Sequence, residues 1–364
     1  MIVQSICDLI EEFAPLALQE SYDNCGLLVG NSQQEITNVL ITIDITEEVV
    51  EEAIAKNCNL IVSHHPLIFS GLKQLTGKNE VQRCVAKAIK NDVAIYAAHT
   101  NLDNVPAGVN GKIAEKIGLS NTRILIPKQN SLLKLVTFVP VSSADTVRNS
   151  LFSAGAGHIG NYDSCSFNQD GIGTFRATNG AQPFVGEIDK LHSEPETKIE
   201  VILPSFLKAQ VVTSLLASHP YEVPAYDLIV LNNTLNEYGT GLIGELDNEE
   251  DAQSFLIRIK QVFNCKSIRY TDLLSEKVKR VAICGGAGSS FLSHAISAGA
   301  DIYISGDFKY HDFFETQSKI IIADIGHFES EQFTKEIFYE IITKKMPTFA
   351  VQISDIKTNP INYL

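Results

Sequence analysis

Short apolar runs that alternate with helical periodicities set the strongest limit on what this chain folds into. Residues 39–46 read as a buried strand and residues 47–57 as a helix. Residues 60–65 form the next strand. Residues 79–90 read as a helix with Val81, Val85, Ala88 and Ile89 on one face, and residues 93–98 as a third strand. A helix follows around residues 109–117. Strand, helix and strand in alternation require a mostly parallel sheet covered by helices. The last third repeats the plan, with strands at 280–284, 301–305 and 320–325 and helices at 290–298, 310–317 and 330–344. Sequence identity between the two halves is poor. The repeat rests on element order and on where polar residues fall.

The middle of the chain follows another order. Residues 134–139 predict a strand, 144–154 a helix, and 163–175 a strand pair or one long strand. Another strand (198–203), a helix (207–217) and a last strand (226–231) complete a βαββαβ pattern, the order of a ferredoxin-like unit. The expected fold class is therefore α/β: a duplicated α/β core with mainly parallel sheets, plus an inserted ferredoxin-like α+β domain. The expected limits are 1–130 for the first half of the core, 131–233 for the insert and 234–364 for the second half. A chain of 364 residues suits two or three domains. Its 45% hydrophobic content supplies more than one core.

The formal net charge of -14, with no Lys/Arg-rich run, argues against wide nucleic-acid binding. The start of the chain has no basic segment. Asp8, Glu11 and Glu12 interrupt its apolar positions, so it does not read as a signal peptide. Val3, Ile6, Ile10 and Phe13 instead suit an amphipathic packing helix. No apolar run is long enough to span a bilayer, which takes about 18 residues or more. Seven cysteines stand singly with no CxxC pair, as expected of reduced thiols in a cytoplasmic protein.

Chemistry concentrates at strand ends. Ser63-His64-His65-Pro66 closes an apolar run. Adjacent residues on a regular strand face opposite ways, but at a strand end before proline both imidazoles can turn into one crevice. The other reading is a pair of loop histidines bonded to backbone. The next strand ends in His99-Thr100-Asn101-Leu102-Asp103, where Asp103 adds a hard oxygen. His99 is either a direct ligand, a group that holds a carboxylate, or a structural histidine. Gly326-His327-Phe328-Glu329-Ser330-Glu331 follows the last strand. If a helix starts there, His327 and Glu331 share a face. Three imidazoles and two carboxylates can serve two ions if one carboxylate, here Glu331, bridges. Asp307 and His311 sit where the repeat matches His64 and His65, and read as supporting or proton-transfer groups, or as a helix cap and a surface histidine. Gly285-Gly286-Ala287-Gly288 suits tight strand-to-helix packing better than a phosphate cradle.

Ser-His-His-Pro at 63–66, His-Thr-Asn-Leu-Asp at 99–103, Ser-Gly-Asp-Phe-Lys-Tyr-His at 305–311 and Gly-His-Phe-Glu-Ser-Glu at 326–331 together resemble the Nif-three-like family. Its members are often labelled type 2 homologues of GTP cyclohydrolase I. Tyr22-Asp23-Asn24-Cys25-Gly26-Leu27 is similar to its N-terminal signature, with Tyr22 and Cys25 departing from the commoner residues. Residues 157–163 and His219-Pro220-Tyr221-Glu222 resemble the PII/CutA-like middle domain of the long bacterial branch. The resemblance implies a dinuclear centre held by His64, His65, Asp103, His327 and Glu331, beside which His99 and Asp307 read from the residues as supporting groups. It also implies a toroidal homohexamer whose cavity faces the metal sites. Ligation without sulfur suits zinc, iron or manganese. The leading expectation is a metal-dependent hydrolase of a nucleotide or phosphorylated small molecule, with His311 as proton carrier. The alternative is a ring-shaped regulatory or metal-sensing scaffold without catalysis.

Overall fold

In the computed structural model, residues 1–316 and 318–364 are described. Apolar Val3, Ile6, Cys7 and Ile10 recur at helical spacing and are the buried face of α1 (Val3–Phe13). Then come β1 (Gly26–Val29), β2 (Val39–Thr42), α2 (Glu47–Ala55), β3 (Leu60–Ser63), α3 (Glu80–Lys90) and β4 (Ala94–Ala97). Every residue of β2, β3 and β4 is buried, as a parallel sheet covered on both faces requires. These three pair in parallel, and β1 lies antiparallel to β4. Asn79 caps α3 by accepting the Gln82 N–H at 2.9 Å, an interaction that contributes about 1 kcal/mol. Helices α2 and α3 cover one sheet face through Val49, Val50, Val85 and Ala88, which meet Leu40, Ile61 and Ile95. The strands stop short of the ranges 39–46, 60–65 and 93–98. The strands end at Thr42, Ser63 and Ala97, although the His64 and His65 N–H groups still donate to the Thr42 and Ile43 carbonyls. The segment ends with α4 (Thr100–Asp103), α5 (Val109–Ile117) and β5 (Leu119–Lys128).

The chain divides into two compact units: Met1–Pro127 with Asn236–Leu364, and Lys128–Leu235. The second contains β6 (Leu132–Pro140), α6 (Ala144–Ser153), β7 (Phe167–Arg176), β8 (Leu191–Pro204), α7 (Lys208–Ser218) and β9 (Tyr226–Leu231). Its strands form one antiparallel sheet in the order β7-β8-β6-β9. Alternate residues Leu133, Leu135 and Val139, and Ile199, Val201 and Leu203, turn inward against Val147, Leu151, Val211 and Leu215 of the helices. Of the two expectations for residues 163–175, a strand pair or one long strand, a single strand forms and starts at Phe167. Within that range Ser164 lies at φ +55°, outside extended backbone, so the strand cannot begin at residue 163.

The rest of the chain adds β10 (Leu235–Asp251), α8 (Ala252–Val262), β11 (Arg269–Tyr270), β12 (Lys277–Ala287), α9 (Leu292–Ser297), β13 (Ile302–Gly306), β14 (Ile321–Asp324), α10 (His327–Glu331), α11 (Thr334–Lys345) and β15 (Val351–Ile353). A second sheet runs β11-β14-β13-β12-β10-β5. Within it β12, β13 and β14 are parallel, and β11 lies antiparallel to β14 just as β1 does to β4. Strand β15 joins the first sheet beside β2. The helix expected over 330–344 is two helices, and the first opens earlier, at His327. Gln332 Nε2 donates to the Glu329 carbonyl, the acceptor that the Phe333 N–H uses in an unbroken helix. The helix expected over 310–317 is a 3₁₀ turn at Tyr310–Phe314, tightened by Glu315 N–H bonding back three residues to Asp312; Gln317 lies outside the described residues. Among the described residues no helix is long and apolar enough to cross a membrane.

Candidate metal centre

The carboxyl ends of the parallel strands in both sheets feed one cluster. His64 and His65 follow β3, His99 follows β4, and Asp103 ends α4. His327 and Glu331 open and close α10 after β14. Open α/β sheets present ligand sites at this edge because the backbone leaves its ladder there. Neighbouring rings lie close, with centroids 4.9 Å apart for His64 and His65, 5.3 Å for His64 and His99, and 5.2 Å for His65 and His327.

Each imidazole is held from behind through Nδ1. His64 Nδ1 donates to the Ala98 carbonyl at 2.9 Å, and His65 Nδ1 to Asp44 Oδ1 at 2.7 Å. His99 Nδ1 bonds Asp23 Oδ1 at 2.9 Å, and His327 Nδ1 bonds Asp307 Oδ2 at 2.7 Å. A hydrogen on Nδ1 makes Nε2 the nitrogen that gives its lone pair to the cluster once its own proton leaves, the tautomer a metal ligand needs. The Nε2 atoms of His65 and His327 stand 3.3 Å apart. Glu331 Oε2 lies 3.0 Å from His65 Nε2 and 3.2 Å from His327 Nε2, and its Oε1 lies 3.6 Å from His64 Nε2. Asp103 Oδ1 is 3.7 Å from His64 Nε2.

Charge shapes the site. Burial opposes protonation of His65, but Asp44 and Glu331 outweigh it and push its pKa up to about 10. Burial likewise opposes protonation of His327, and Glu331 and Asp307 push it up to about 9. Burial favours the neutral acid of Glu331, yet the imidazoles of His64, His327 and His65 hold it well below the usual carboxylate range. Burial pushes the Asp103 carboxyl above its ordinary value against the pull of His64.

The residues fit a metal. Among the described residues, His64 Nε2, Asp103 Oδ1 and Glu331 Oε2 are buried and make no hydrogen bond of good geometry, although Glu331 Oε2 lies 3.0 Å from His65 Nε2. Each such atom costs about 1–3 kcal/mol, and a cation among them would satisfy all three. Two overlapping groups have ligand atoms within 4.8 Å of one another: His64 with His65 and His99, and His65 with His327 and Glu331. Imidazole and carboxylate without thiolate is the donor chemistry of zinc, iron or manganese.

The structure thus brings together His64, His65, His99, Asp103, His327 and Glu331, with Asp307 behind His327. His311 stands apart. It is exposed on the 3₁₀ turn, with its ring 5.3 Å from that of Tyr310, and no hydrogen bond or ion pair ties it to the cluster among the described residues. Asp44 and Asp23, which hold His65 and His99, are functional residues that the motifs do not assign. Asp44 follows β2 at the same edge as the histidines, so the strand-end signal that flagged His64 applied to it too. Gly286 lies at φ +65°, and a Cβ there would come 2.3 Å from Glu331 Oε1. Its N–H donates to Ser330 Oγ at 2.9 Å, so the glycine-rich turn packs against α10.

Fold and site define an α/β protein with clustered His and Glu side chains able to bind a metal ion. The chain belongs to the Duf34/NIF3 (NGG1p interacting factor 3) family, whose profile matches residues 1–360. It is 37% identical to a Bacillus subtilis (strain 168) protein named GTP cyclohydrolase 1 type 2 homolog, covering 99% of this chain and 98% of that one. A protein of the same name from Halalkalibacterium halodurans is 38% identical, again over 99% and 98%. The crystal structure of a Bacillus cereus protein related to NIF3 matches with TM-score 0.85 and 37% identity, over 100% of this chain and 99% of that one.

Proposed function

We propose that this protein is a metal-dependent hydrolase of a nucleotide or related phosphorylated small molecule, with a dinuclear centre held by His64, His65, Asp103, His327 and Glu331. The three orphaned buried atoms, His64 Nε2, Asp103 Oδ1 and Glu331 Oε2, carry this reading. When bound, two divalent ions would supply Lewis acidity and an activated water. The chain supplies the rest. Asp44 and Asp307 fix the imidazoles of His65 and His327, and Glu331 lies between them. His99, anchored by Asp23, would either join the ligands or hold the site from behind.

A ring-bearing substrate is favoured by the aromatic pair beside the cluster. Exposed Phe69 lies 6.5 Å from the His99 ring and 6.4 Å from that of exposed Tyr22, so a purine has a face to stack on. In a cyclohydrolase reaction at purine C8, His311 is our assigned proton carrier, working from its exposed turn. We read the core as a duplicated α/β unit (1–130 and 234–364) around a ferredoxin-like, PII/CutA-like insert (131–233). We read the assembly as a cytoplasmic toroidal homohexamer.

Metal content per chain, measured by mass spectrometry without added metal, tests the centre. About two ions in wild type and a clear loss in His65→Ala/Glu331→Ala support it; no metal even after reconstitution removes it. GTP turnover that vanishes on chelation and in His64→Ala supports the hydrolase. Full metal loading without turnover of any nucleotide favours the second reading, a regulatory or metal-sensing scaffold.

A further inference from the structure

The unit Lys128–Leu235 has a cavity of about 670 Å³ on the sheet around β7 and β8, within the range that holds small organic ligands. Its opening is written into β7. Gly171 and Gly173 occupy alternate positions and so share one sheet face, in register with Glu196 and Glu194 of β8. Glycine inside a strand weakens it, and two at alternate positions mark a place where something must approach the backbone closely. A Cβ on Gly173 would come 2.1 Å from Glu196 Oε2, whereas a Cβ on Gly171 would meet nothing within 4 Å. The first glycine makes room for a carboxylate and the second leaves open space.

Glu196 is only 9% exposed. Its Oε1 accepts the Tyr221 hydroxyl at 2.7 Å, and its Oε2 takes no hydrogen bond among the described residues. Glu196 Oε2 is not sealed from solvent, so it stays open to a donor that enters the cavity. Phe175 and Phe184 flank Tyr221, with ring centroids 5.9 Å and 6.4 Å from it. Asp170 and Glu222 add negative charge to the lining. Lys198 is the lining cation, and its ammonium pairs with Glu200 at 2.5 Å, so it offers little to an anion. Phosphate and carboxylate ligands are thereby disfavoured.

We propose that this cavity binds a small organic cation, a protonated amine or amidine on a flat apolar body, whose N–H groups bond Glu196 and whose ring lies among Phe175, Phe184 and Tyr221. Aromatic faces attract cations, and a charge-assisted bond to carboxylate is the strong polar contact such a site can make. This site shares no residue with the metal cluster, so the two readings stand or fall separately.

The test is calorimetric titration of the full-length protein with benzamidine, its neutral isostere benzamide, and benzoate. Benzamidine is expected to bind once per chain and benzoate not at all. Glu196→Gln keeps an acceptor for Tyr221 and removes the charge, and is expected to weaken benzamidine at least about tenfold, roughly 1.4 kcal/mol. Gly171→Leu starts its side chain where a Cβ meets nothing within 4 Å, and is expected to abolish binding with the melting temperature held. Equal binding of benzamide and benzamidine overturns the proposal, as does binding that survives Gly171→Leu. So does no binding of benzamidine up to about 10 mM to folded wild type, weaker than any affinity of about -3 kcal/mol.

Discussion

Asp44 takes the Nδ1 hydrogen of His65 at 2.7 Å, and that bond decides which nitrogen the cluster receives. Its other oxygen accepts the Thr358 hydroxyl at 2.7 Å, so the carboxylate is itself fixed. Asp44→Asn keeps one acceptor, for His65 Nδ1–H, presents its amide N–H to the Thr358 hydroxyl, and removes the charge that makes His65 a better donor. We predict a 10–100-fold loss of metal affinity, of the size seen when such supporting groups are removed, with the melting temperature of the metal-free protein little changed. Competition against a chelator measures it, and unchanged affinity would show that Asp44 serves the loop alone. His219 gives a residue-scale prediction of another kind. It is buried, its Nε2–H donates to the Phe138 carbonyl at 3.0 Å, and its Nδ1 accepts the Tyr221 N–H at 3.0 Å. Burial lowers its pKa below the ordinary histidine value of about 6.5. The unfolded chain therefore takes up a proton near pH 6.5 that the folded chain still refuses. The stability from this group is complete above that pH and is lost as pH falls towards the folded value. Denaturant melts of wild type and His219→Asn at several pH values should show a shallower acid slope in the variant.

Elements were legible where one periodicity ran unbroken. The βαβ order and the strand ends carrying His64, His65, His99 and His327 follow from apolar runs that stop at polar residues. Strands β5, β10 and β15 were not legible. Residues along β10 alternate irregularly between buried and exposed, and β15 has only three residues, so each is a strand because a neighbour pairs with it. The supporting carboxylates escaped for a related reason. Asp23 reaches His99 from 76 positions away, a distance at which no local pattern speaks. The turn after β12 shows how an element serves the site. Gly286→Ala puts a Cβ 2.3 Å from Glu331 Oε1 on a backbone at φ +65°, where non-glycine residues are strained. We expect a stability loss of roughly 1–3 kcal/mol and loss of metal together, because α10 must shift to make room. A variant that melts lower yet loads metal normally would show that Glu331 moves aside without cost to the centre.

At the scale of the whole chain, the cluster ties together segments far apart in sequence. His64, His65, His99 and Asp103 come from the first segment of one compact unit, and His327 and Glu331 from its last, while residues 128–235 make a separate unit between them with a core of its own. A ligand that binds only the folded state stabilises by mass action, about 2.7 kcal/mol when free ligand stands at 100 times its dissociation constant. That stabilisation belongs to the unit that holds the ligand. Removing metal should therefore raise hydrogen exchange in β2, β3, β4, β13, β14 and α10, and leave β6, β8 and α7 unchanged. Exchange read peptide by peptide is the suitable probe, since the chain has no tryptophan to report on either unit. The cost of chelation should be largest at strand ends nearest the cluster, because there the paired carboxylates and imidazoles must revert to sharing protons. Uniform loss of protection across both units would mean that they unfold as one cooperative body. No change anywhere would mean that the histidines hold their places without an ion, and that the orphaned atoms are satisfied by water.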